Sequence, residues 1–585
     1  MSRLSRLCVC LAALLLGGCA HQNGSSPRAV RVVLEEGPGF TAEDRVLEGP
    51  AGSAFRLRAV PLKGWEIEGC DYPGATLTAQ ADGSVEIALD DVRYSAVVTL
   101  TAEQHPFRVR YHDGNTTEEI TYPAHHLRVN TATPVSEDGA RLLCGWTTRD
   151  GEHIGLGSRA DVAPGVPLDL YADWRPFSPA ADFDWETDAA GRAVVAGYRG
   201  SASDIVIPAD HDGQPVAGIA AGAFAGVACS SVVLPPTLER VNPHAFDGCT
   251  LSTLTFFDTL QDITDYAFSG CENLREIRVN AARPPVYSGT YFDTFPDKLD
   301  RLRSLRDRQK IILFSGSSAR FGYDSAMLDD AFPEYEVVNM GVYAYTNALP
   351  QLDLILRSIK PGDLLIHSPE FDAIQRQFCT TNAMDAHFFA MIESDYDILR
   401  LLDYQNYGGM LSAFTTFQKN RRGMVEGDYQ MSASRFDEDH VPVSVPSYNV
   451  YGDYTVPRPN AADDAPIYAL PVDYLAEAFP LNTVIEPLNR VYRRFQDAGA
   501  RVYFTYAPRN RLALSDRSTP EARARLDAWL RQSLIAPVIS DIEDSLYPGH
   551  LLYGTDNHLS TEGVSLRTAR IIRDIQAQLE REAAS

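Results

Sequence analysis

The sequence predicts a multidomain protein in which small β-rich modules come first, a short repeat solenoid follows, and a three-layer α/β/α domain with a parallel sheet comes last. Three observations support this prediction. The chain has 585 residues, which is too long for one hydrophobic core. An Ala-Phe motif recurs at a constant spacing in the middle of the chain. From about Lys298 onward, short apolar runs alternate with helical patterns, as expected for a parallel sheet covered by helices.

The composition restricts the class of partners. Hydrophobic residues make up 45% of the chain and aromatic residues 10%, which is ordinary for a globular protein. The formal net charge is −26. A field of this sign repels phosphate backbones, so nucleic acid is not an expected partner.

The N-terminal segment has the pattern of a secretory signal peptide. Two arginines precede an apolar stretch at 7–16, which is too short to span a membrane as a stable helix. The run Leu16-Gly17-Gly18-Cys19 resembles the lipobox of bacterial lipoproteins. The resemblance implies cleavage before Cys19 and a lipid anchor on its thiol, with a signal at 1–19 and a tether at 20–28. We therefore expect a protein of the bacterial envelope, at the outer membrane or cell surface; a plain signal peptide with an incidental cysteine is the alternative.

The remaining cysteines do not indicate a metal site. They are spread over several predicted domains without a C-x-x-C pair. They are Cys70, Cys144, Cys229, Cys249, Cys271 and Cys379. Disulfides can form outside the cytoplasm, but the spacing leaves the pairing open. No metal and no cofactor are predicted.

Two β-rich modules are predicted at 29–104 and 105–176. Apolar and polar residues alternate at 55–60, 85–89 and 107–111, which indicates half-buried strands, and Gly and Pro clusters separate such runs.

Both modules carry a Gly-Trp pair, Gly64-Trp65 in the first and Gly145-Trp146 in the second, and the second module ends on Leu-Tyr-Ala-Asp-Trp at 170–174. These features resemble the internalin B-type repeats of bacterial surface proteins. The resemblance implies spacer or adhesion modules without catalysis, in which the tryptophans pack in the core.

The repeat region is predicted at 177–290. Phe224, Phe246 and Phe268 stand 22 residues apart, each after an alanine and before a glycine turn. A fixed period of this length predicts a solenoid, here of about four turns. The motif resembles the A-F-x-G-C class of bacterial leucine-rich repeats, in which the repeated cysteines would be core residues. The array could bind a partner, such as a glycan or surface ligand, or serve only as a spacer.

The α/β domain is predicted at 300–585, with a long insert at about 371–470. Its candidate strands share a short apolar run that ends in a loop. They lie at 310–314, 336–339, 363–367, 501–506 and 537–542. Inserts of this length are usually lids or small subdomains.

Four blocks at the ends of these strands carry the functional signal. They run from Phe314 to Gly322, from Val338 to Gly341, from Ser368 to Phe371 and from Asp556 to Ser560. In this order they resemble the blocks of the SGNH (GDSL-type) hydrolase superfamily, in the variant whose first block reads Gly-Ser-Ser. The resemblance implies a flavodoxin-like fold and a serine-dependent esterase or O-acyltransferase.

The resemblance assigns the catalytic residues. Ser318 would be the nucleophile, with Ser317 as the alternative. His558 would be the general base and Asp556 would orient its ring. The family spacing is Asp-x-x-His, whereas this chain has Asp-x-His with Thr555 at the usual aspartate position.

The oxyanion hole of the family is less complete here. The amides of the nucleophilic serine and of Gly341 would donate to the developing charge. The third-block asparagine is missing and Glu370 stands near its place, so Asn339 or Asn347 would have to substitute. A carboxylate cannot stabilise an oxyanion, which leaves another role for Glu370.

Two functions follow from these patterns. The first is a cell-envelope lipoprotein with an SGNH-type esterase, O-acyl hydrolase or acyltransferase domain that acts on acylated glycan. The alternative is a surface adhesin or scaffold lipoprotein with a catalytically degenerate SGNH-like domain. The retained serine, glycine and histidine favour the enzyme; the missing asparagine and the shortened Asp–His spacing favour the scaffold.

Overall fold

The computed structural model describes most of the chain from residue 29 onward. The described residues are 29–35, 40–42, 46–61, 65–80, 83–114, 116–122, 134–160, 162, 165–287, 290, 292–371, 383–424, 448–467 and 471–584. The predicted signal, Cys19 and tether lie outside this set, and so does Cys379. The chain divides into two compact units, Met1–His105 and Pro106–Ser585. No helix among the described residues combines the length and apolar character needed to cross a bilayer.

The first unit consists of short strands. These are β1 Ala29–Leu34, β2 Phe40–Ala42, β3 Val46–Pro50, β4 Ser53–Pro61, β5 Trp65–Cys70, β6 Thr76–Ala79, β7 Val85–Val92, β8 Ala96–Val98 and β9 Leu100–Gln104. They form sheets in the orders β3-β1-β8, β2-β4-β7-β6 and β5-β9. Leu57 and Ile87 face each other across the β4–β7 pair and are fully buried, so the predicted alternation is confirmed.

The second unit begins with a five-stranded sheet. Its strands are β10 Phe107–Asp113, β11 Thr116–Tyr122, β12 Arg141–Thr148, β13 His153–Ile154 and β14 Leu168–Pro176, in the order β11-β10-β14-β12-β13. Trp146 is buried and meets the Tyr111 ring edge-on at 4.7 Å, as expected for a core tryptophan. The amide of Gly155 donates to the half-buried carboxylate of Asp397 at 2.9 Å, so this sheet contacts the C-terminal elements.

The repeats form a stack of short strands and turns. The strands are β15 Phe183–Thr187, β16 Ala193–Tyr198, β17 Asp204–Val206, β18 Asp210–His211, β19 Gln214–Ile219, β20 Ser231–Val233, β21 Arg240–Val241, β22 Thr253–Phe257 and β23 Glu276–Asn280. A parallel ladder runs through β17-β20-β22-β23.

The repeated phenylalanines stack inside the solenoid. The ring of Phe246 lies 4.7 Å from that of Phe224 and 5.0 Å from that of Phe268, nearly parallel to both. The thiols of Cys249 and Cys271 donate to the carbonyls of Phe224 and Phe246 at 2.8 and 2.9 Å. These cysteines are free and buried, so their predicted place in the core is confirmed.

A parallel sheet lies at the C-terminal end of the chain. Its strands are β24 Lys310–Phe314, β25 Glu336–Asn339, β26 Leu364–His367 and β27 Arg501–Phe504, in the order β25-β24-β26-β27. The fifth predicted strand, at 537–542, is reduced to one bridge between Phe504 and Val538. Pro537 has no N–H, so the ladder cannot extend on the N-terminal side of this bridge. A small separate pair is formed by β28 Arg509–Asn510 and β29 Leu546–Tyr547.

Helices accompany this sheet. They are α1 Thr294–Ser304, α2 Ser317–Arg320, α3 Ser325–Ala331, α4 Ala348–Leu356, α5 Ala386–Ile392, α6 Met410–Asn420, α7 Glu486–Asp497, α8 Pro520–Ser533 and α9 Thr561–Ala584. The described part of the predicted insert contains α5 and α6. Phe414 of α6 packs edge-on against Phe256 of the repeats at 5.1 Å, so one hydrophobic core runs from the repeats into the C-terminal elements.

Candidate functional site

The candidate site lies where β24 ends. The strand is fully buried through Phe314, and a two-residue turn leads into α2. Gly316 allows close packing in this turn, because a Cβ there would lie 2.4 Å from the Cα of Ala344. The hydroxyl of Ser318 is buried and shares a hydrogen bond of 3.0 Å with the hydroxyl of Ser315. The side chain of Ser317 makes no hydrogen bond with a described residue and is 9% exposed.

Glu370 connects the serine turn to the loop that carries His558. The backbone amide of Ser318 donates to one carboxylate oxygen of Glu370 at 2.9 Å. The side-chain amide of Asn557 donates to the other oxygen at 2.6 Å. The structure therefore brings the first, third and last predicted blocks together at one buried carboxylate.

Asn557 was missed by sequence reasoning, which considered only its neighbours. Its orientation is fixed by Thr555, whose hydroxyl donates to the Asn557 side-chain oxygen at 2.8 Å. The same hydroxyl accepts from the backbone amide of His558 at 3.0 Å. Thr555 thus organises the loop that carries Asn557 and His558. The available signal was Glu370 itself, because a buried carboxylate requires donors.

Both predicted oxyanion amides already have acceptors within the protein. The amide of Ser318 is held by Glu370, and the amide of Gly341 donates to the side-chain oxygen of Asn339 at 3.0 Å. The side-chain nitrogen of Asn339 donates to the carbonyl of Ala319 and to Asp453, at 2.9 and 2.8 Å.

Asn347, the other proposed substitute in the oxyanion hole, has a structural role. It precedes α4, and its side-chain oxygen accepts from the amide of Leu349 at 3.0 Å, as an N-cap does. Its side-chain nitrogen donates to the carbonyl of Ala383.

His558 is close to the serine turn but is not bonded to it. Its ring packs against Phe321, with the ring centroids 4.2 Å apart. Among the described residues, no hydrogen bond or ion pair joins the ring to Ser317, Ser318 or Asp556. The Asp556 carboxylate accepts from the amide of Ile467 at 2.9 Å.

The surroundings of His558 oppose its protonation. The pKa of His558 is lowered from 6.5 to about 3. Burial is the largest cause of this shift, and the positive charges of Arg458, Arg320 and Arg509 also contribute to it. A general base must accept a proton from the nucleophile and carry a positive charge for part of the reaction. The arginines make that charged state unfavourable.

A buried lysine holds the backbone of the second block, from Val338 to Gly341, in place. Lys298 is 3% exposed, and its ammonium group donates to the carbonyls of Asn339, Gly341 and Gly452 at 2.9, 2.7 and 2.7 Å. Burial holds the pKa of Lys298 well below its usual range.

The lysine was also missed by sequence reasoning, although a signal existed. Lys298 shares one face of α1 with Phe295 and Leu302, which are three and four residues away and fully buried. A lysine in the middle of such an apolar face indicates a buried amine.

The site offers no set of metal ligands. Within the parts of the chain that the structure describes, no cluster of three or more His, Cys, Asp or Glu side chains could hold a metal ion.

Comparisons with known proteins identify the repeats. A family model described as BspA type leucine rich repeat region matches residues 205–291, in six copies. The prediction of leucine-rich repeats is therefore confirmed. A solved structure, the leucine rich repeat protein of T. pallidum, is 18% identical, and the match covers 18% of this chain and 84% of that one with a TM-score of 0.12. No curated protein matches the chain.

Proposed function

We propose that this protein is a lipid-anchored binding or scaffold protein of the bacterial envelope, in which a C-terminal SGNH-like domain has lost ester hydrolysis. The domain boundaries of the sequence analysis, from the signal at 1–19 to the α/β domain at 300–585, are part of the proposal. The leucine-rich repeats and the β-rich modules are the expected display region. The strand order of the C-terminal sheet is compatible with a flavodoxin-like domain.

One contact carries the proposal that ester hydrolysis is lost. The amide of Ser318 would have to stabilise the oxyanion of a tetrahedral intermediate, yet it donates to the carboxylate of Glu370 at 2.9 Å. An oxyanion formed beside that carboxylate would meet a fixed negative charge instead of a free donor. Oxyanion stabilisation is usually one of the largest contributions to acyl transfer, so this arrangement opposes catalysis.

Labelling with a fluorophosphonate serine probe tests the proposal. The full chain is compared with Ser317→Ala, Ser318→Ala and His558→Ala, and turnover of p-nitrophenyl acetate is measured in parallel. We expect no labelling that depends on either serine, and equal background turnover in all four proteins. An unrelated serine hydrolase in the same reaction confirms that the probe is active.

A serine esterase or O-acyltransferase that acts on acylated glycan is the second candidate. It is favoured by the bridge from Ser318 through Glu370 to Asn557, which holds the candidate nucleophile and the His558 loop at the same strand edge. Ser318, or Ser317, would attack the ester, with His558 as base, Asp556 as its partner and the Gly341 amide at the oxyanion. Labelling that disappears in one serine variant and in His558→Ala would establish this function in place of the first.

The lipid anchor has its own test. Metabolic labelling with a palmitate analogue should mark the wild-type chain and not Cys19→Ala. Unlabelled wild-type protein recovered from the soluble fraction would contradict the anchor without affecting the leucine-rich repeats.

A further inference from the structure

A cavity of about 480 Å³ lies between the end of the repeats and the end of α6. Cavities of about 300–1,000 Å³ are typical of small-molecule sites. Its polar lining consists of three arginines and two glutamines. They are Arg283, Arg421, Arg422, Gln261 and Gln418. Among the described residues, no acidic side chain lines it.

The arginines of the cavity are held in place by neighbouring carboxylates and by a glutamine side chain. Arg421 forms ion pairs with Asp258 at 3.3 Å and with Glu393 at 2.8 Å, and both carboxylates are almost fully buried. Arg283 lies 3.9 Å from Asp258 and is 38% exposed. Arg422 donates to the side-chain oxygen of Gln261 at 3.1 Å. Among the described residues, two carboxylates therefore face three guanidinium groups, which leaves an excess positive charge on this part of the cavity wall.

The cavity wall also contains donors that lack acceptors. Gln418 is 4% exposed, and its oxygen accepts from Arg283 at 2.6 Å. Its side-chain nitrogen has no hydrogen-bond partner among the described residues, and neither does the Nε atom of Arg283. Such buried donors cost free energy unless an acceptor is supplied. Burial, and then the charge of Arg421, lower the pKa of Arg283, and the negative charge of a bound anion would stabilise its charged form.

We propose that this cavity binds a small acidic sugar, whose carboxylate or sulfate group pairs with Arg283 and Arg422. Guanidinium groups match the paired oxygens of these anions. The amide groups of Gln261 and Gln418 suit sugar hydroxyls, and Val286 offers an apolar wall for the C–H face of a sugar ring. The inference is independent of the proposed loss of ester hydrolysis, since α2 and the His558 loop contribute nothing to the cavity lining.

Isothermal titration of the full chain with D-glucuronate, glucose 6-sulfate and glucose tests this inference. We expect at least one acidic sugar to bind at millimolar concentration or below, and glucose not to bind. Arg283→Gln and Arg422→Gln should each weaken the binding by about tenfold or more, because hydrogen bonds to charged groups are the stronger ones. Whether the carboxylate or the sulfate binds more tightly identifies the anionic group that the cavity prefers.

Arg240→Gln is the matched control, because Arg240 lies on the repeats with a side chain that is 66% exposed and does not line the cavity. It should bind as the wild type does. Arg422 is exposed, so its substitution should leave thermal unfolding unchanged and keep the test valid even if Arg283→Gln is unstable. The proposal is overturned if neither acidic sugar binds, if glucose binds equally well, or if Arg422→Gln has no effect.

Discussion

The leucine-rich repeats and the strand-edge site differ in how far apart along the chain their contacting residues lie. In the repeats, Phe246 stacks on phenylalanines one period away on either side. At the strand edge, Glu370 contacts Ser318, 52 residues away, and Asn557, 187 residues away. Contacts of the first kind repeat and can be recognised as a pattern, whereas contacts of the second kind occur once. The difference explains why the repeats were predicted in detail and the site only in outline.

Phe246→Ala should have the largest effect, because it interrupts the stack at its centre. Phe246 is fully buried between two aromatic rings, and its loss leaves a cavity that the neighbouring turns cannot fill. We expect the free energy of unfolding to fall by about 3–5 kcal/mol. Urea unfolding followed by tryptophan fluorescence measures it.

Tyr266→Ala is the control for that substitution, since Tyr266 lies in the adjoining repeat and is 69% exposed. It should change the free energy of unfolding by less than about 0.5 kcal/mol. Equal effects of the two substitutions would mean that the aromatic stack does not stabilise the solenoid.

The contact between Glu370 and Asn557 should show strong coupling in a double-mutant cycle. Asn557→Asp places two carboxylates at hydrogen-bond distance, and Glu370→Gln removes an acceptor, so each should cost about 1–3 kcal/mol. The double variant exchanges the two groups and restores a donor–acceptor pair. It should recover at least about 1 kcal/mol relative to the sum of the single costs.

Denaturant unfolding of the four proteins gives this coupling energy. Glu334→Gln, at an exposed position near the same sheet, should be neutral. Costs that add within about 0.5 kcal/mol would show that the bridge through Glu370 is not formed.

The same comparison explains which features of the structure could be predicted from the sequence. The strand at Lys310–Phe314 was predicted with its observed bounds, because a short apolar run that ends in a Ser-Gly turn is typical of a buried strand in a parallel sheet. The 22-residue spacing likewise placed Cys249 and Cys271 in the core. Both features depend on residues that are near neighbours in sequence or one period apart.

The site could not be completed in that way. The sequence placed Glu370 in the third block, but it could not show that its carboxylate would accept a hydrogen bond from the amide of Ser318. It also could not show that Arg458 and Arg509 would surround His558, because these residues come from separate segments without a shared motif. A contact that occurs only once, between residues far apart in the chain, leaves no repeated pattern in the sequence.

Lys298→Met tests whether the buried amine of Lys298 stabilises the strand-edge site. The substitution keeps the length of the side chain but leaves the carbonyls of Asn339, Gly341 and Gly452 without their shared donor. We expect a loss of about 1–3 kcal/mol in the free energy of unfolding. Lys419→Met, at an exposed position of α6, is the matched control and should be neutral. A Lys298→Met protein that is as stable as the wild type would show that methionine packs there without cost.

The smallest expected effect is a change in pH dependence on substitution of His558. Its folded pKa of about 3 lies below the usual 6.5, so the unfolded chain takes up the proton first as the pH falls. The stability that His558 contributes is therefore complete above about pH 6.5 and is lost progressively towards pH 3. His558→Gln removes this contribution and should reduce the loss of stability between pH 7 and pH 5 by about 1–2 kcal/mol.

Urea unfolding at several pH values measures the effect. His367, whose pKa burial alone lowers to about 3, remains in the variant, so the slope should decrease without vanishing. His105→Gln, in the first unit, serves as the surface control. Parallel pH profiles for wild type and His558→Gln would mean that the ring is protonated as easily in the folded protein as in the unfolded chain. The arginines would then not prevent His558 from acting as a base, and the esterase would become the better explanation of the strand-edge site.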